Sequence, residues 1–260
     1  MVTRDTAWAP GTPCWVDLGA EDIGRAAAFY SSLFGWDIQQ GGPETGGYAM
    51  CQLRGRTVAG IGPKQGPPGT PSAWTTYLAT ADAGRTAAQV TPAGGQLLAG
   101  PFDVMDAGRM LVAADPGGAV FGAWQAGQHF GAGIANEPGT VCWNENLSRD
   151  YDANRSFYRT LFGYSYDDVS GAGMRYATLM LDGAPVGGIG EIGENFPAEV
   201  PANWTVYFGA ADTDATVAAL TAAGGGVSRP PWDTPFGRMA VVHDDQGTVF
   251  SLISLSPAGG

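Results

Sequence analysis

The sequence is short of charged residues, and most of the charge it has is negative. Only 15% of its 260 residues are charged, with 13 basic against 25 acidic side chains and a formal net charge of −12. A nucleic-acid-binding protein needs a basic surface that neutralises phosphates, and anionic membranes attract cationic segments. We therefore expect neither a nucleic acid nor a membrane as a partner.

The sequence also lacks any long hydrophobic run. No segment approaches the ~20 apolar residues that a membrane-spanning helix needs, and the first residues lack the apolar stretch of a signal peptide. The three cysteines, Cys14, Cys51 and Cys142, are odd in number and form no CxxC motif. Because this cysteine usage is typical of a reducing compartment, we expect a cytoplasmic protein.

The sequence does contain a long segment that occurs twice. TPCWVDLGAEDIGRAAAFYSSLFGW begins at Thr12, and TVCWNENLSRDYDANRSFYRTLFGY begins 128 residues later, at Thr140. Three later segments recur in similar form at offsets of 128 to 130 residues: YAMCQLRGRTVAGIG, WTTYLATAD and GRMLVAADPGGAVFGAW. So constant an offset over most of the chain indicates a duplicated domain. The predicted division is an N-terminal tail at 1–10, domain 1 at 11–126, a linker at 127–138 and domain 2 at 139–256.

Each copy predicts a strand, a helix and three strands, twice over. In domain 1 the alternation at 15–20 indicates a strand, Asp22 is placed to cap the next helix, and Gly35 is placed to end it. Further strands are predicted at 48–53, 57–61, 74–80, 96–99, 110–114 and 119–125, with a second helix at 83–93. The expected fold is α+β, with four βαβββ units forming two domains, each an open mixed sheet around a cavity.

These motifs resemble a known family. The helix sequence FYSSLFGW, followed by GR and then by DPGG before the closing strand, resembles the glyoxalase/bleomycin-resistance/extradiol-dioxygenase group, the vicinal oxygen chelate superfamily. The resemblance covers both copies. More narrowly, the chain is similar to duplicated glyoxalase-like proteins of actinobacteria, among them a mycobacterial antigen and accessory proteins of aromatic polyketide pathways. The resemblance implies the fold, but so varied a scaffold does not fix the reaction.

The resemblance also implies where a divalent metal would be held. Family enzymes use His and Glu at three cavity-facing positions, which here are Trp15, Thr75 and Gly122 in domain 1 and Trp143, Thr205 and Ser251 in domain 2. None of these is a His or a carboxylate, and Trp and Gly side chains offer a metal no lone pair. The two histidines, His129 and His243, fall in the linker and at a strand end. We therefore expect no metal and no cofactor.

Strand alternation predicts which side chains face each cavity. Val16 and Leu18 form the apolar side of their strand, so Trp15 and Asp17 face the cavity. The matching residues of domain 2 are Trp143 and Glu145. The other candidate ligand-binding residues are Tyr48, Met50, Gln52, Thr75, Tyr77, Arg109, Gly122 and Trp124 in domain 1, and Tyr176, Thr205, Tyr207, Arg238 and Ser251 in domain 2. The alternation also predicts that Thr178, Met180 and Ile253 face the cavity of domain 2. We expect Arg109 and Arg238 at the cavity rims, and Gly122 to leave room for a ligand ring beside Trp124.

Two interpretations of these residues remain open. The tryptophans are either walls for a flat aromatic ligand or fillers of a core without a metal. Asp17 and Glu145 are either catalytic carboxyl groups whose pKa values are raised by an apolar cavity, or hydrogen-bonding or ion-pair partners of Arg109 and Arg238.

Three functions follow from these alternatives. The favoured one is metal-free binding of a small aromatic or polyketide-like metabolite, in antibiotic resistance or secondary metabolism, because no feature of the sequence requires a catalytic reaction. The second is a cofactor-free isomerase, cyclase or lyase in which Asp17 or Glu145 moves a proton together with Tyr77 or Tyr207. The third, a metal-dependent glyoxalase or dioxygenase, is disfavoured by the missing ligands. The expected partner is a small molecule, and the expected assembly is a monomer of two pseudo-symmetric domains or a homodimer of such chains.

Overall fold

The computed structural model describes residues 1–66, 69–171, 173–194 and 196–255. These residues form two domains, each built on one eight-stranded mixed sheet, which confirms the α+β architecture predicted from the repeat. Among the described residues, no helix is long and apolar enough to span a membrane.

Domain 1 consists of two βαβββ units. In its sheet the strands lie in the order β3-β4-β5-β2-β6-β9-β8-β7. The first strand of each unit pairs in parallel with the last, and the two first strands pair antiparallel in the centre. The elements are β2 Pro13–Ala20, α1 Ile23–Phe34, β3 Asp37–Gln40, the 3₁₀ turn Pro43–Thr45, β4 Ala49–Leu53, β5 Arg56–Pro63, β6 Ala73–Ala79, α2 Ala83–Val90, β7 Gln96–Val104, β8 Gly108–Ala114 and β9 Val120–Ala126.

Domain 2 repeats this topology with the order β12-β13-β14-β11-β15-β18-β17-β16. Its elements are β11 Val141–Ser148, α3 Tyr151–Phe162, β12 Ser165–Asp168, β13 Tyr176–Leu181, β14 Ala184–Glu191, β15 Asn203–Gly209, α4 Thr213–Ala222, β16 Gly226–Thr234, β17 Gly237–His243 and β18 Val249–Leu255. Two short strands stand outside both sheets: β1 Val2–Thr3 pairs antiparallel with β10 Ile134–Ala135.

Local sequence accounts for the ends of α1. The Asp22 carboxylate accepts a hydrogen bond from the backbone N–H of Arg25 at 3.0 Å, and Gly35 takes the left-handed conformation, with φ 70°. Both predicted helix signals are therefore confirmed. The edge strand β3 was not predicted, because its sequence, DIQQ, is mostly polar and exposed.

The two domains pack back to back through their helices. Tyr30 of α1 lies 5.8 Å, ring to ring, from Phe250 of domain 2. Tyr158 of α3 lies 5.5 Å from Phe121 of domain 1. Each sheet therefore buries one face against the other domain. The opposite faces carry the candidate site residues, and we call them cup 1, in domain 1, and cup 2, in domain 2.

The linker folds back over domain 1 before it enters domain 2. The backbone N–H of Gly133 donates to the Thr57 carbonyl at 2.8 Å, and the indole N–H of Trp8 donates to the Ala132 carbonyl at 3.1 Å. These contacts place the N-terminal tail and the linker beside cup 1.

Candidate functional site

Cup 1 contains a hydrogen-bonded group of four side chains. The Trp15 indole N–H donates to the Tyr48 hydroxyl at 3.0 Å, and that hydroxyl lies 3.5 Å from Asp17 Oδ2. Tyr77, on the neighbouring strand β6, also donates to the Asp17 carboxylate. The sheet register holds the group together, because Trp15 lies directly opposite Tyr77 and Asp17 directly opposite Thr75.

Cup 2 repeats this group with a longer acid. The Trp143 indole N–H donates to the Tyr176 hydroxyl at 3.1 Å, and the Tyr207 hydroxyl donates to Glu145 Oε1 at 3.2 Å. Tyr176 also donates to Glu145. We call each group of one Trp, one acid and two Tyr side chains a quartet.

Glycines make room for the tyrosine rings. A Cβ atom on Gly60 would lie 1.7 Å from the Tyr48 hydroxyl, and one on Gly188 would lie 1.9 Å from the Tyr176 hydroxyl. A Cβ atom on Gly122 would lie 2.1 Å from the Tyr77 ring. The expectation that Gly122 leaves room for a ligand ring is therefore wrong, because the ring of Tyr77 occupies that space.

Burial raises the pKa of both quartet acids. Removal from water raises the pKa of Asp17 to about 7, although hydrogen bonds from Tyr77 and Tyr48 act in the opposite direction. The pKa of Glu145 is raised for the same reason and is likewise opposed by Tyr176 and Tyr207. Each carboxyl group can therefore hold or release a proton at a pH higher than an exposed acid would.

The arginines predicted at the cup rims lie elsewhere. Arg238 forms ion pairs with Asp214 and Asp233, and Asp214 belongs to helix α4 on the far side of the sheet. The exposed Arg109 side chain lies 3.7 Å from Asp103. The predicted ion pairs of Asp17 with Arg109 and of Glu145 with Arg238 are therefore wrong, since tyrosine hydroxyls bond both acids.

Cup 1 is filled by the protein's own side chains. Trp15, Tyr77 and Trp124 are only 5%, 6% and 7% exposed and pack in one apolar cluster with Ala132 of the linker and the half-buried Trp8. The filling interpretation is thus favoured for the tryptophans of this cup.

His129, from the linker, also packs into cup 1. Its ring lies edge-on to Trp15 with a centroid separation of 4.4 Å, and 5.7 Å from the Trp124 ring. Its Nε2 atom is buried and has no hydrogen-bond partner among the described residues. Burial lowers the pKa of His129 to about 4. The predicted space for a ligand ring beside Trp124 is therefore occupied, because the linker carries a side chain into it.

Cup 2 is covered differently. Its wall tryptophan, Trp143, and its tyrosine, Tyr176, are only half-buried, while Glu145 is 8% exposed. Among the described residues no apolar cluster of buried side chains like that of cup 1 forms in cup 2. Strand β16 adds Trp232, also half-buried, with the Arg229 guanidinium 3.9 Å from its ring centre.

Sequence reasoning missed Arg229 and Trp232, as well as Trp8 and His129 as cup residues. Register shifts in β16 interrupt its alternation, between Val227 and Arg229 and again between Arg229 and Trp232. The available sequence signal for Trp232 was its alignment with Phe102 in the repeat, since both positions carry an aromatic side chain.

The remaining predicted residues fall at cup positions. In cup 1, Met50 lies opposite Gly60, which pairs with Asp17. In cup 2, Thr178 lies opposite Gly188, which pairs with Glu145. Thr205 lies opposite Glu145 and donates to Asn203 Oδ1 at 2.7 Å. Gln52 and Met180 follow next along strands β4 and β13, and buried Ser251 lies opposite Tyr207. A surface hollow of about 170 Å³ lies at the edge of cup 2, where Ile253 lines it, and another of about 240 Å³ lies outside both cups.

The residues of neither cup fit a divalent metal. Within the described ranges no group of three or more His, Cys, Asp or Glu side chains could hold a metal ion. The acid of each cup is bonded by tyrosine hydroxyls, and Tyr is not among the usual ligands of Zn²⁺. His243 lies at the end of β17, with Nδ1 3.0 Å from the Asp244 carbonyl oxygen.

Comparison with known proteins agrees with this architecture. A family model described as the glyoxalase/bleomycin resistance protein/dioxygenase superfamily matches residues 14–123 and 147–252. The chain is 43% identical over 260 residues to the candidate glyoxylase CFP32 of Mycobacterium tuberculosis, with 98% of each chain covered. It is 37% identical over 264 residues to the anthracycline biosynthesis protein DnrV of Streptomyces peucetius, with 96% of this chain and 95% of that protein covered.

Solved structures share the fold at low identity. The Mn(II)-bound glyoxalase from Novosphingobium aromaticivorans matches with a TM-score of 0.64 at 14% identity, covering 94% of this chain and 82% of that one. The 2,3-dioxygenase LapB from Pseudomonas sp. KL28 matches with a TM-score of 0.65 at 10% identity, covering 95% and 94%. With both halves of the repeat matched by the family model, the chain belongs to the glyoxalase/bleomycin resistance protein/dioxygenase superfamily.

Proposed function

We propose that the protein binds a small, flat aromatic or polyketide-like metabolite without a metal ion, and that cup 2 is the binding site. The observation that carries the proposal is the half-buried aromatic wall of Trp143, Tyr176 and Trp232 beside the buried acid Glu145. Such a wall suits a flat ligand, because each well-placed ring pair contributes about 0.5–1.5 kcal/mol beyond area burial.

Cup 1 has the same quartet but a different cover. Its Trp15 is 5% exposed and lies beneath His129 and Trp8. A ligand there would have to displace the linker. In cup 2 the position of Trp124 is taken by the smaller Ile253, and the large ring lies instead on the outer strand, at Trp232. This arrangement favours cup 2 as the ligand cup.

The relatives support the chemical class of the ligand. DnrV of Streptomyces peucetius and DauV of Streptomyces sp. are named as anthracycline biosynthesis proteins, and each is 37% identical to this chain. Their names favour a setting in secondary metabolism, in biosynthesis or in resistance to its products.

The test is equilibrium dialysis with 1,8-dihydroxyanthraquinone, a flat phenolic probe, in the presence of a chelator. Thr178→Phe places a ring on the floor of cup 2, and we expect it to weaken binding at least about tenfold, a change of about 1.4 kcal/mol. Met50→Phe is the matched variant in cup 1, because Met50 and Thr178 occupy equivalent register positions. It should bind like the parent protein. Absence of binding to the parent, or equal binding by both variants, would contradict the proposal.

A second candidate function is cofactor-free proton transfer. The observation that favours it is the Asp17 carboxyl, whose pKa burial raises to about 7 and which two tyrosine hydroxyls contact. General acids and bases work best when their pKa lies near the working pH. In this candidate Asp17 or Glu145 takes a proton from an acidic C–H or O–H, and Tyr77 or Tyr207 hydrogen-bonds the same carboxyl group.

Deuterium exchange into 2-tetralone, an enolisable aromatic ketone, tests this second candidate. NMR would follow loss of the α-proton signal with parent protein, Asp17→Asn and Glu145→Gln in metal-free buffer. Exchange that the protein accelerates and that one variant abolishes supports proton transfer. Exchange at the rate of buffer alone leaves binding as the function.

A further inference from the structure

One row of side chains crosses the whole of cup 2. The strand register places Trp143 opposite Tyr207, Tyr207 opposite Ser251, Ser251 opposite Val241, and Val241 opposite Arg229. Side chains at directly opposed positions lie on the same face of a sheet. Arg229 therefore lies on the cup face, at the opposite end of the row from Trp143.

The corresponding row of cup 1 ends without a charge. It runs through Trp15, Tyr77, Gly122 and Val112 to Ala99. The cation is therefore specific to cup 2, the cup that the proposed function assigns to the ligand. In cup 1 the linker covers the face instead, through His129.

Arg229 is held by a ring and not by an acid. Its guanidinium carbon lies 3.9 Å from the centre of the Trp232 ring, and within the described part of the chain no Asp or Glu forms an ion pair with it. Six other arginines do form such pairs: Arg25, Arg54, Arg56, Arg109, Arg175 and Arg238. Five more arginines form no ion pair within the described residues: Arg4, Arg85, Arg149, Arg155 and Arg159. The exposed Arg229 differs from them because it lies on the face of cup 2.

The charge of Arg229 also reaches the buried end of the row. Burial raises the pKa of Tyr207 well above its usual value, the Glu145 charge raises it further, and Arg229 offsets part of that rise. The Arg229 charge therefore acts close to the quartet. Stacking on Trp232 occupies one face of the planar guanidinium but leaves its in-plane N–H donors free.

We propose that the ligand of cup 2 carries an anionic group, a carboxylate or an ionised phenol, beside its aromatic ring, and that Arg229 binds this group. This inference rests on the proposed binding function. The rings of Trp143 and Trp232 would contact the flat part of the ligand, and the Arg229 N–H groups would hold the anion in their plane. The net charge of −12 repels anions in general, so a preference for an anionic ligand requires a local cation.

The test uses two probes that share one ring system, anthraquinone-2-carboxylate and 2-(hydroxymethyl)anthraquinone. We expect the parent protein to bind the carboxylate about tenfold more tightly, as for a charge-assisted pair, with the difference shrinking at high salt. Arg229→Gln should lose this preference, so that it binds the two probes about equally. Arg159→Gln is the matched control, because it removes one exposed positive charge on α3, beside Tyr166 and not in the cup.

The outcomes separate this inference from the proposed function. If neither probe binds the parent protein, the binding function itself fails. If both probes bind equally, or if the preference for the carboxylate survives in Arg229→Gln, binding stands and the assignment of Arg229 is wrong. If Arg159→Gln loses the preference as well, the effect comes from overall charge, and the assignment is again wrong.

Discussion

The Tyr158 hydroxyl donates a hydrogen bond of 2.9 Å to Asp115 Oδ2, which joins the first helix of domain 2 to the last hairpin of domain 1. The mirror contact, from Tyr30 to Asp244 Oδ2, is 3.0 Å long. Each tyrosine also accepts a bond from a tryptophan indole N–H. Each domain therefore supplies a buried polar partner to the other, on both sides of the pseudo-symmetric interface.

Loss of the Tyr158 hydroxyl should destabilise the protein. Tyr158→Phe leaves the buried indole N–H of Trp204 without its acceptor and removes one donor to Asp115. We expect a loss of about 1–3 kcal/mol in the free energy of unfolding, the cost of an unsatisfied buried polar group. Urea unfolding of the variant and the parent would measure the loss.

Tyr151→Phe provides the control on the same helix. Tyr151 is 1% exposed, and its hydroxyl has no hydrogen-bond partner among the described residues. Its removal should therefore leave stability unchanged or slightly improved. Equal losses in the two variants would show that removing either tyrosine hydroxyl from α3 lowers stability, and that the hydrogen bond from Tyr158 to Asp115 is not the cause.

A methyl group at Gly60 should break the quartet of cup 1. The new Cβ atom would lie 1.7 Å from the Tyr48 hydroxyl, so the tyrosine must swing away and lose its bonds to Trp15 and Asp17. We expect Gly60→Ala to cost about 1–3 kcal/mol, as for other overpacked sites. Gly193→Ala, where nothing lies within 4 Å of the new atom, should be neutral in the same thermal melts. A Gly60→Ala variant that melts like Gly193→Ala would show that the quartet contributes nothing to stability.

Most of the fold could be predicted from the repeat, and what was missed has a physical cause. Helix caps, strand alternation and the constant offset are local or periodic signals. The polar edge strand β3 carries no alternation, since it has only one apolar residue, Ile38. The pairing of the domains depends on contacts such as Tyr30 with Asp244, which are 214 residues apart and leave no periodic trace.

The candidate site divides in the same way. Alternation places Asp17 on the cup face together with Trp15, and the structure agrees. The same alternation, applied to β8 and β17, would have placed Arg109 and Arg238 correctly. Each arginine lies two residues before a residue that is fully buried on the helix side, Leu111 or Ala240, and therefore lies on that same face. His129 could not have been predicted as a cup residue, because the path of a linker is not periodic.

We expect the purified protein to carry no stoichiometric transition metal. The reason is the donor set: the positions that hold metal in the family are occupied here by Trp15, Gly122 and other side chains without a His nitrogen or a carboxylate. A metal that bound the folded state would stabilise it by about 2.7 kcal/mol at a hundredfold excess over its dissociation constant. Elemental analysis, and thermal melts with Mn²⁺, Zn²⁺ or Ni²⁺, would detect it.

One metal ion per cup, removed by a chelator with loss of stability, would overturn this expectation. His129→Ala would then show whether the linker histidine is a ligand, because His129 is the histidine that contacts the quartet of cup 1.

Asp17 and His129 should give opposite pH dependences to stability. Burial raises the pKa of Asp17 from its usual 3.8 to about 7. Between these values the folded state holds a proton that the unfolded chain has lost, so stability falls as pH rises. Burial lowers the pKa of His129 from 6.5 to about 4. Between those values the unfolded chain binds the extra proton, so stability rises with pH. In the parent protein the two contributions oppose each other.

Removing either group should expose the contribution of the other. Asp17→Asn is nearly isosteric and can still accept bonds from Tyr48 and Tyr77. Relative to the parent, it should be equally stable near pH 4 and more stable at pH 8, because no charge is then buried.

His129→Gln should show the reverse trend: relative to the parent, it gains stability as pH falls from 6.5 towards 4. One pKa unit corresponds to about 1.4 kcal/mol, so we expect each variant to differ from the parent by at least about 1 kcal/mol more at one end of the range than at the other. Urea unfolding at pH 4, 5, 6, 7 and 8 measures these differences directly. If both variants run parallel to the parent, burial shifts the pKa of neither group, and the proton-transfer candidate loses the raised pKa on which it depends.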